Sequence, residues 1–232
     1  MAKRLALVFG GSRGIGAACV EALSTAGFDV AFTHVGSSSG AKGGYRADIQ
    51  EPEEIAKAFE DASRDFEAPV HCVVVNAGIG VPPGPVAQFD VGNFRKLVEV
   101  NIVGAFNVLR EAGQRVADGG SIIAITTSMV RHAVPGFGPY AGTKAAVECM
   151  VRSMAKEIAP RKVRVNAVAP GPVDTELFRA GKTEEAKQRS AALSPFNRIG
   201  TAKEVAEVVG FLASERASWI HGQVIQPNGG MV

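Results

Sequence analysis

The 232-residue chain is poor in several things at once. Aromatic residues make up only 6%, with one tryptophan and two tyrosines, too few for the stacking platforms that single-stranded nucleic acids need. Neither sign of charge dominates: 25 Lys and Arg stand against 23 Asp and Glu, a net charge of +2. That balance excludes a protein whose main task is gripping nucleic acid or an anionic membrane surface. No apolar run approaches the roughly 18 residues of a membrane span. The run over 5–9, after a basic start, is cut by Gly10 and Gly11 and is too short for a signal-peptide core. The three cysteines, Cys19, Cys72 and Cys149, are odd in number and lie in apolar runs. They read as buried free thiols of a reducing compartment, not as disulfides or metal ligands. The expectation is a cytoplasmic protein with no metal site.

What is present is an ordinary core and an unusual amount of glycine. Hydrophobic residues make up 46% and glycines number 27, with no Gly-X-Y period, so the glycines point to tight turns and close backbone approaches. Short β-branched runs alternate with helical patterns, the signature of βαβ units on a parallel sheet. Strands are expected at 5–9, 29–33, 45–47, 72–75, 121–126, 164–168 and 223–226. Helices are expected at 14–26, 52–66, 91–117, 139–158 and 202–213. No linker, composition shift or repeat divides the chain, so residues 1–232 read as one α/β domain. Residues 174–200, a charged helical patch between loops, read as a flap within it.

The first strand runs directly into Gly10-Gly11-Ser12-Arg13-Gly14-Ile15-Gly16 and then a helix. Glycines there give a sharp turn, let backbone N–H groups reach a pyrophosphate and let the helix pack closely on the sheet. About twenty residues on, dinucleotide sites often place an acid on the adenosine ribose. Between Val30 and Ala47 this chain has no Asp or Glu; it offers Thr33, Ser37 and neighbouring serines, with Arg13 already in the loop. A guanidinium and hydroxyls suit a phosphate where an acid would repel it, so NADP(H) is expected over NAD(H).

A second constellation is Tyr140-Ala-Gly-Thr-Lys144. Residues i and i+4 share a helix face, bringing phenol and ammonium to one substrate. A free tyrosine titrates near 10; a neighbouring cation is expected to lower that value towards the range acid–base catalysis uses. Ser128 lies twelve residues upstream, past the end of an apolar strand, and Thr127 thirteen. Ser128 is the favoured hydroxyl because of its offset from the strand, with Thr127 the alternative.

Taken together, Gly10…Gly14-Ile15-Gly16, Asn76-Ala77-Gly78, Asn101, Ser128, Tyr140…Lys144 and Pro170-Gly171 resemble the short-chain dehydrogenase/reductase family over essentially the whole chain. The resemblance implies a Rossmann-like, doubly wound sheet of seven parallel strands, order 3-2-1-4-5-6-7, with helices on both faces. It implies that Tyr140 moves the proton at the carbonyl or alcohol oxygen and that Ser128 hydrogen-bonds that oxygen. Lys144 would hold the nicotinamide ribose and depress the Tyr140 pKa, and Asn101 would anchor a proton-relay water. Asp48 and Ile49 would meet the adenine, Asn76, Ala77 and Gly78 the adenosine side, and Val173 and Thr175, after Pro170-Gly171, the carboxamide. A homotetramer is implied too, with the helices at 91–117 and 139–158 packed across a two-fold axis. Phe9 and Val75 stand where the family usually has Thr and Asn, which suggests an apolar contact replacing a polar link. Asn228 stands where the family usually has Asp.

The substrate is less legible. Met129, Val130, His132, Phe137, Pro172, Leu177 and Phe178 are expected around the carbonyl, a mostly apolar set that favours a small-molecule ketone or acyl substrate over a highly charged one. The leading reading is an NADPH-dependent carbonyl reductase, reversible as an alcohol dehydrogenase. A 3-oxoacyl-thioester reductase is the alternative, on the resemblance of Pro195–Gly200 to that group. A cofactor-sensing module without catalysis is the non-enzyme alternative, and the intact Ser128, Asn101, Tyr140 and Lys144 argue against it.

Overall fold

The computed structural model describes residues 4–36 and 43–232. β1 (Leu5–Phe9) leads through α1 (Gly14–Thr25) to β2 (Asp29–His34) and the short β3 (Gly44–Arg46). α2 (Pro52–Phe66) returns to β4 (Val70–Val75), and α3 (Val91–Val98) and α4 (Ala105–Arg115) lead to β5 (Ser121–Ile125). The one-turn α5 (Met129–His132) and the long α6 (Gly138–Glu157) precede β6 (Arg164–Val168). β7 (Val173–Asp174), α7 (Glu176–Arg179), α8 (Glu184–Ala191) and β8 (Gly200–Thr201) follow, then α9 (Ala202–Ala213) and β9 (Val224–Ile225).

Among the described residues, seven strands form one parallel sheet in the order β3-β2-β1-β4-β5-β6-β9. This is the expected doubly wound order; the last strand is the ninth in the chain only because β7 and β8 pair separately. β1 explains the continuous apolar runs. Leu5, Leu7 and Phe9 face one core, with Ile55 and Phe59 of α2 and Val108 of α4, while Ala6 and Val8 face another, with Leu23 of α1 and Val209 and Leu212 of α9. A strand covered on both faces has no polar side to show. Phe9 and Val75 are ladder partners on β1 and β4, both buried in the same core, so an apolar contact does occupy the place expected for it.

Three details depart from the sequence reading. The helix expected over 91–117 is two helices joined by a π-helical turn, Glu99–Gly104, which buries Asn101 completely. Residues 174–200 are closed at their base by the β7–β8 ladder, Val173 opposite Gly200 and Asp174 opposite Thr201. Cys149 is exposed, not buried: the inward stripe of α6 runs through Lys144, Val147, Glu148 and Val151 and leaves Cys149 on the other face. Cys19 and Cys72 are buried, and burial pushes their thiols up to about 12 and about 11, the behaviour of unreactive core thiols. Among the described residues no cluster of His, Cys, Asp and Glu could hold a metal ion, and no helix is long and apolar enough to cross a membrane.

Arg164, at the start of β6, is buried and donates to the carbonyls of Leu212, Ala213, Ser214 and Ala217. The last carbonyls of a helix have no partner within it, so this guanidinium closes the C-terminal end of α9 against the sheet. Replacing it with methionine leaves those carbonyls dry and unpaired. Arg164→Met is expected to lose about 3 kcal/mol of stability, read as a lower urea midpoint at unchanged slope.

Candidate active site

In a parallel sheet every strand ends on the same edge, and ligands of open α/β sheets bind outside that edge where the strand order reverses. Here the reversal lies between β1 and β4. The segments that leave the edge are the glycine loop after β1, Asn76–Gly78 after β4, Thr126–Ser128 after β5 and Ala169–Gly171 after β6.

The glycine loop is shaped by bonds to its neighbours. Gly10 N–H donates to Thr33 Oγ1 at 3.1 Å and Gly11 N–H to Thr33 O at 3.0 Å, while Asn76 Nδ2 donates to Gly10 O at 2.8 Å. Thr33 is buried, so it braces the loop from beneath. A Cβ on Gly16 would stand 2.0 Å from Gly10 O and 2.6 Å from Asn76 Nδ2; only glycine closes this turn. α1 starts at Gly14 with Arg13 as its N-cap, no side-chain cap and no acid in the first turn. Its positive end is therefore open to an anion. Ser12 and Arg13 are exposed there, and Ile15 packs against the core. This cradle fits the pyrophosphate of a dinucleotide. Ser37 lies outside the described residues. Asp48 sits in the loop after β3, its N–H held by Glu54 Oε2 at 2.8 Å and its Oδ1 accepting from Gln50 N–H at 3.0 Å. The Ile49 side chain is packed in the core.

At the other end of the cleft four segments meet. Asn101 Oδ1 accepts the Ile79 N–H at 2.9 Å, and its Nδ2 donates to Ile79 O at 3.0 Å and to Thr143 Oγ1 at 3.3 Å. Lys144 is buried and Nζ donates to Ile125 O at 3.1 Å. A Cβ on Gly78 would come within 3.0 Å of Asn101 Oδ1 and 3.3 Å of Lys144 Nζ, so the missing side chain lets these two groups approach the loop after β4. Tyr140, one turn before Lys144 on α6, is half-buried.

The hydroxyl favoured from spacing is otherwise engaged. Ser128 is 1% exposed; its Oγ donates to Ala169 O at 2.7 Å and accepts Asn228 Nδ2 at 3.1 Å. A carbonyl oxygen of a substrate needs a donated proton, and a hydroxyl has one. Ser128 gives its proton to Ala169, so here it rivets the end of β5 to the end of β6 and to the C-terminal segment. Thr127 Oγ1 accepts Met129 N–H at 3.3 Å, a contact that leaves its own proton uncommitted. Pro170 and Gly171 follow Ala169: Pro170 O accepts the Ser128 N–H at 2.9 Å, and a Cβ on Gly171 would meet Asn228 Cα at 3.0 Å. Val173 is buried, and Thr175 Oγ1 caps α7 at Phe178 N–H, 3.2 Å away. Thr175 Cγ2 lies 3.6 Å from where a Cβ would stand on Gly14, and Leu177 Cδ1 3.6 Å from the same place on Gly80. The 174–200 segment thus reaches both the glycine loop and the β4 loop. Sequence reasoning did not single out Thr143 as a partner of Asn101, nor Asn228 as a partner of Ser128.

The family model described as "Enoyl-(Acyl carrier protein) reductase" matches residues 10–232. A short-chain dehydrogenase/reductase double mutant from Serratia marcescens superposes with a TM-score of 0.89 at 32% identity, covering 99% of this chain and 98% of that one. The chain belongs to the short-chain dehydrogenase/reductase family. An Arabidopsis thaliana protein named NADPH-dependent aldehyde reductase-like protein, chloroplastic, is 40% identical over 100% of this chain and 95% of its own. The Mycobacterium tuberculosis 3-oxoacyl-[acyl-carrier-protein] reductase MabA is 38% identical over 98% of this chain and 92% of its own.

In this short-chain dehydrogenase/reductase burial sets the titration of the central pair. Tyr140 is pushed up to about 12 by burial, and Lys144 is pushed down to about 8 by the same cause. Tyr140 thus stands above its ordinary value, not below it as expected, and burial is the cause. At neutral pH the phenol keeps its proton and most Lys144 side chains keep theirs, the charge state suited to donating a proton to a carbonyl. Above about pH 8 Lys144 becomes neutral and no longer supports a phenolate. The reductive kcat is expected to hold up to about pH 8 and to fall above it, measured from initial rates between pH 6 and 10. A flat profile over that range would contradict this.

Proposed function

We propose that this protein is an NADPH-dependent reductase of aldehydes or ketones, reversible as an alcohol dehydrogenase, with Tyr140 as its acid–base group. The observation that carries the reading is the buried cluster of Asn101, Lys144 and Thr143 beside Tyr140, placed on the same sheet edge as an uncapped, glycine-lined helix start. Gly10, Gly14 and Gly16 with the α1 N-terminus would hold the pyrophosphate. Ser12, Arg13 and the serine run that includes Ser37 would take the adenosine phosphate. Asp48, the Ile49 backbone and Asn76–Gly78 would line the adenosine side, and Pro170, Gly171, Val173 and Thr175 the nicotinamide end. Bound NADPH would supply the hydride. The chain's own part is the proton and the placement: Tyr140 gives its phenolic proton to the carbonyl oxygen as the carbon is reduced, and Lys144 stabilises the phenolate left behind. Asn101, held on Ile79 and Thr143, would anchor the water that links Lys144 to solvent as a proton relay.

For the hydroxyl that holds the substrate oxygen, Thr127 is the better candidate, because the Ser128 proton is already used. Tyr140→Phe should lose nearly all turnover, at least a thousandfold, with NADPH binding kept. Thr127→Val should lower kcat about a hundredfold, and Ser128→Ala should act mainly on stability. Rates followed by NADPH absorbance with aldehydes, ketones, 1,2-diketones and 3-oxoacyl thioesters test both the activity and its substrate class. Turnover unchanged in Tyr140→Phe would overturn the mechanism.

Three features support the cofactor choice and the setting. Arg13 is exposed at the α1 start, the NADPH-dependent relative aligns over the full chain, and no acid lies between Val30 and Ala47. Arg13→Ala should cut the NADPH-to-NADH ratio of kcat/KM at least tenfold, mostly through the KM for NADPH. A 3-oxoacyl-thioester reductase is the second reading, favoured by the likeness to MabA. We assign residues 174–200 as a substrate flap within one domain, since they touch both loops of the cleft. A homotetramer is supported by the exposed Val91, Phe94, Val103 and Phe106 along α3, the π turn and α4, faces that want a partner. A cytoplasmic location is supported by the free, unreactive thiols Cys19 and Cys72.

A further inference from the structure

The helix that carries Tyr140 and Lys144 carries a third polar side chain on the same stripe. Glu148 lies one turn past Lys144, so the three residues occupy i, i+4 and i+8 of α6. A carboxylate is costly to bury without a partner, yet Glu148 is 7% exposed. Its Oε1 accepts the Thr126 hydroxyl proton at 3.0 Å, and the same Thr126 oxygen lies 3.4 Å from Val168 O on β6. The residue before Thr126 is Ile125, whose carbonyl accepts Lys144 Nζ at 3.1 Å. Consecutive residues at the end of β5 are thus tied to residues one turn apart on α6, and the next residue along is Thr127.

The charged groups facing Glu148 do not explain its burial. Arg152, one turn on in the same helix, approaches Oε2 only to 3.9 Å and is itself half exposed. Arg131, from α5, acts on it more weakly than the Thr126 bond and Arg152 do. Burial raises the carboxyl's pKa, and the largest opposing influence is the Thr126 hydrogen bond. What the carboxylate does here is hold that hydroxyl.

We propose that Glu148 is a positioning residue: through Thr126 it fixes the end of β5, and so sets where the Thr127 hydroxyl stands relative to Tyr140 on the same helix. The inference rests on the reading of Tyr140 and Thr127 as the groups around the substrate oxygen. A misplacement of about 1 Å in such a pair costs on the order of tenfold to a hundredfold in rate. The effect belongs in kcat, because the polar partners of Glu148 are Thr126 and Arg152, outside the glycine loop and residues 174–200.

The test compares Glu148→Ala, Glu148→Gln and Thr126→Val in the full chain. Glu148→Gln keeps an oxygen that accepts the Thr126 proton and is expected to stay within about threefold of the parent kcat. Glu148→Ala and Thr126→Val each lose the bond and should lower kcat at least tenfold, with the Kd for NADPH and the substrate KM within about twofold. The double variant should be no worse than the poorer single, since one bond is lost in each. Thr126→Val is nearly isosteric and keeps the test open if Glu148→Ala does not fold. Hydrogen exchange of the peptide over 121–131 reads the positioning without any substrate: exchange at residues 126–129 should quicken in Glu148→Ala and not in Glu148→Gln. A kcat for Glu148→Ala within twofold of the parent, losses in Glu148→Gln as large as in Glu148→Ala, or unaltered exchange would each overturn the proposal. An inactive parent enzyme with the exchange pattern as expected would instead count against the carbonyl-reductase reading.

Discussion

A lysine ammonium buried against the Ile125 carbonyl is the constraint around which the rest of the site is arranged. A cation out of water is unfavourable by several kcal/mol unless its charge is met, and the drop of the Lys144 pKa to about 8 registers that cost. To keep it there, the fold must bring a strand end, a π-turned helix and a side-chain-free loop to one point. Asn101 sits buried in the π turn, and Gly78 has no side chain to fend off either group. The buried lysine is thus a weakness in the core that three separate segments combine to accommodate.

Much of this architecture is written locally, and that part was legible. The glycine loop is a demand on backbone shape within seven residues, and the open helix start follows from what is missing beside Arg13. The first strand shows because burial on both faces leaves no polar residue in it, and the others show by their short β-branched runs. The Tyr140–Lys144 pair needs only the helical repeat. These are short-range facts, and a sequence records short-range facts well.

What escaped reading depends on partners far along the chain. The Ser128 hydroxyl is engaged by Asn228, one hundred residues away, and by the Ala169 carbonyl just past the end of β6. The helix expected over 91–117 is broken by a π turn that holds Asn101 on Ile79 and Thr143, and nothing in its apolar pattern announces it. Cys149 sits in an apolar run yet faces outward, because composition cannot say which side of α6 the core takes. The Tyr140 pKa went the opposite way from expectation for a related reason: charge proximity can be read from spacing, but depth of burial cannot.

The small ladder between β7 and β8 has a consequence of a different kind. By closing Val173 on Gly200 and Asp174 on Thr201, it turns the stretch between them into an interchangeable cassette whose two ends meet on fixed backbone. Changes of length inside the cassette leave the register of the main sheet untouched, because its two ends are paired with each other. Insertions and deletions should therefore be tolerated most readily over 183–192, away from the contacts that Thr175 and Leu177 make with the cleft loops.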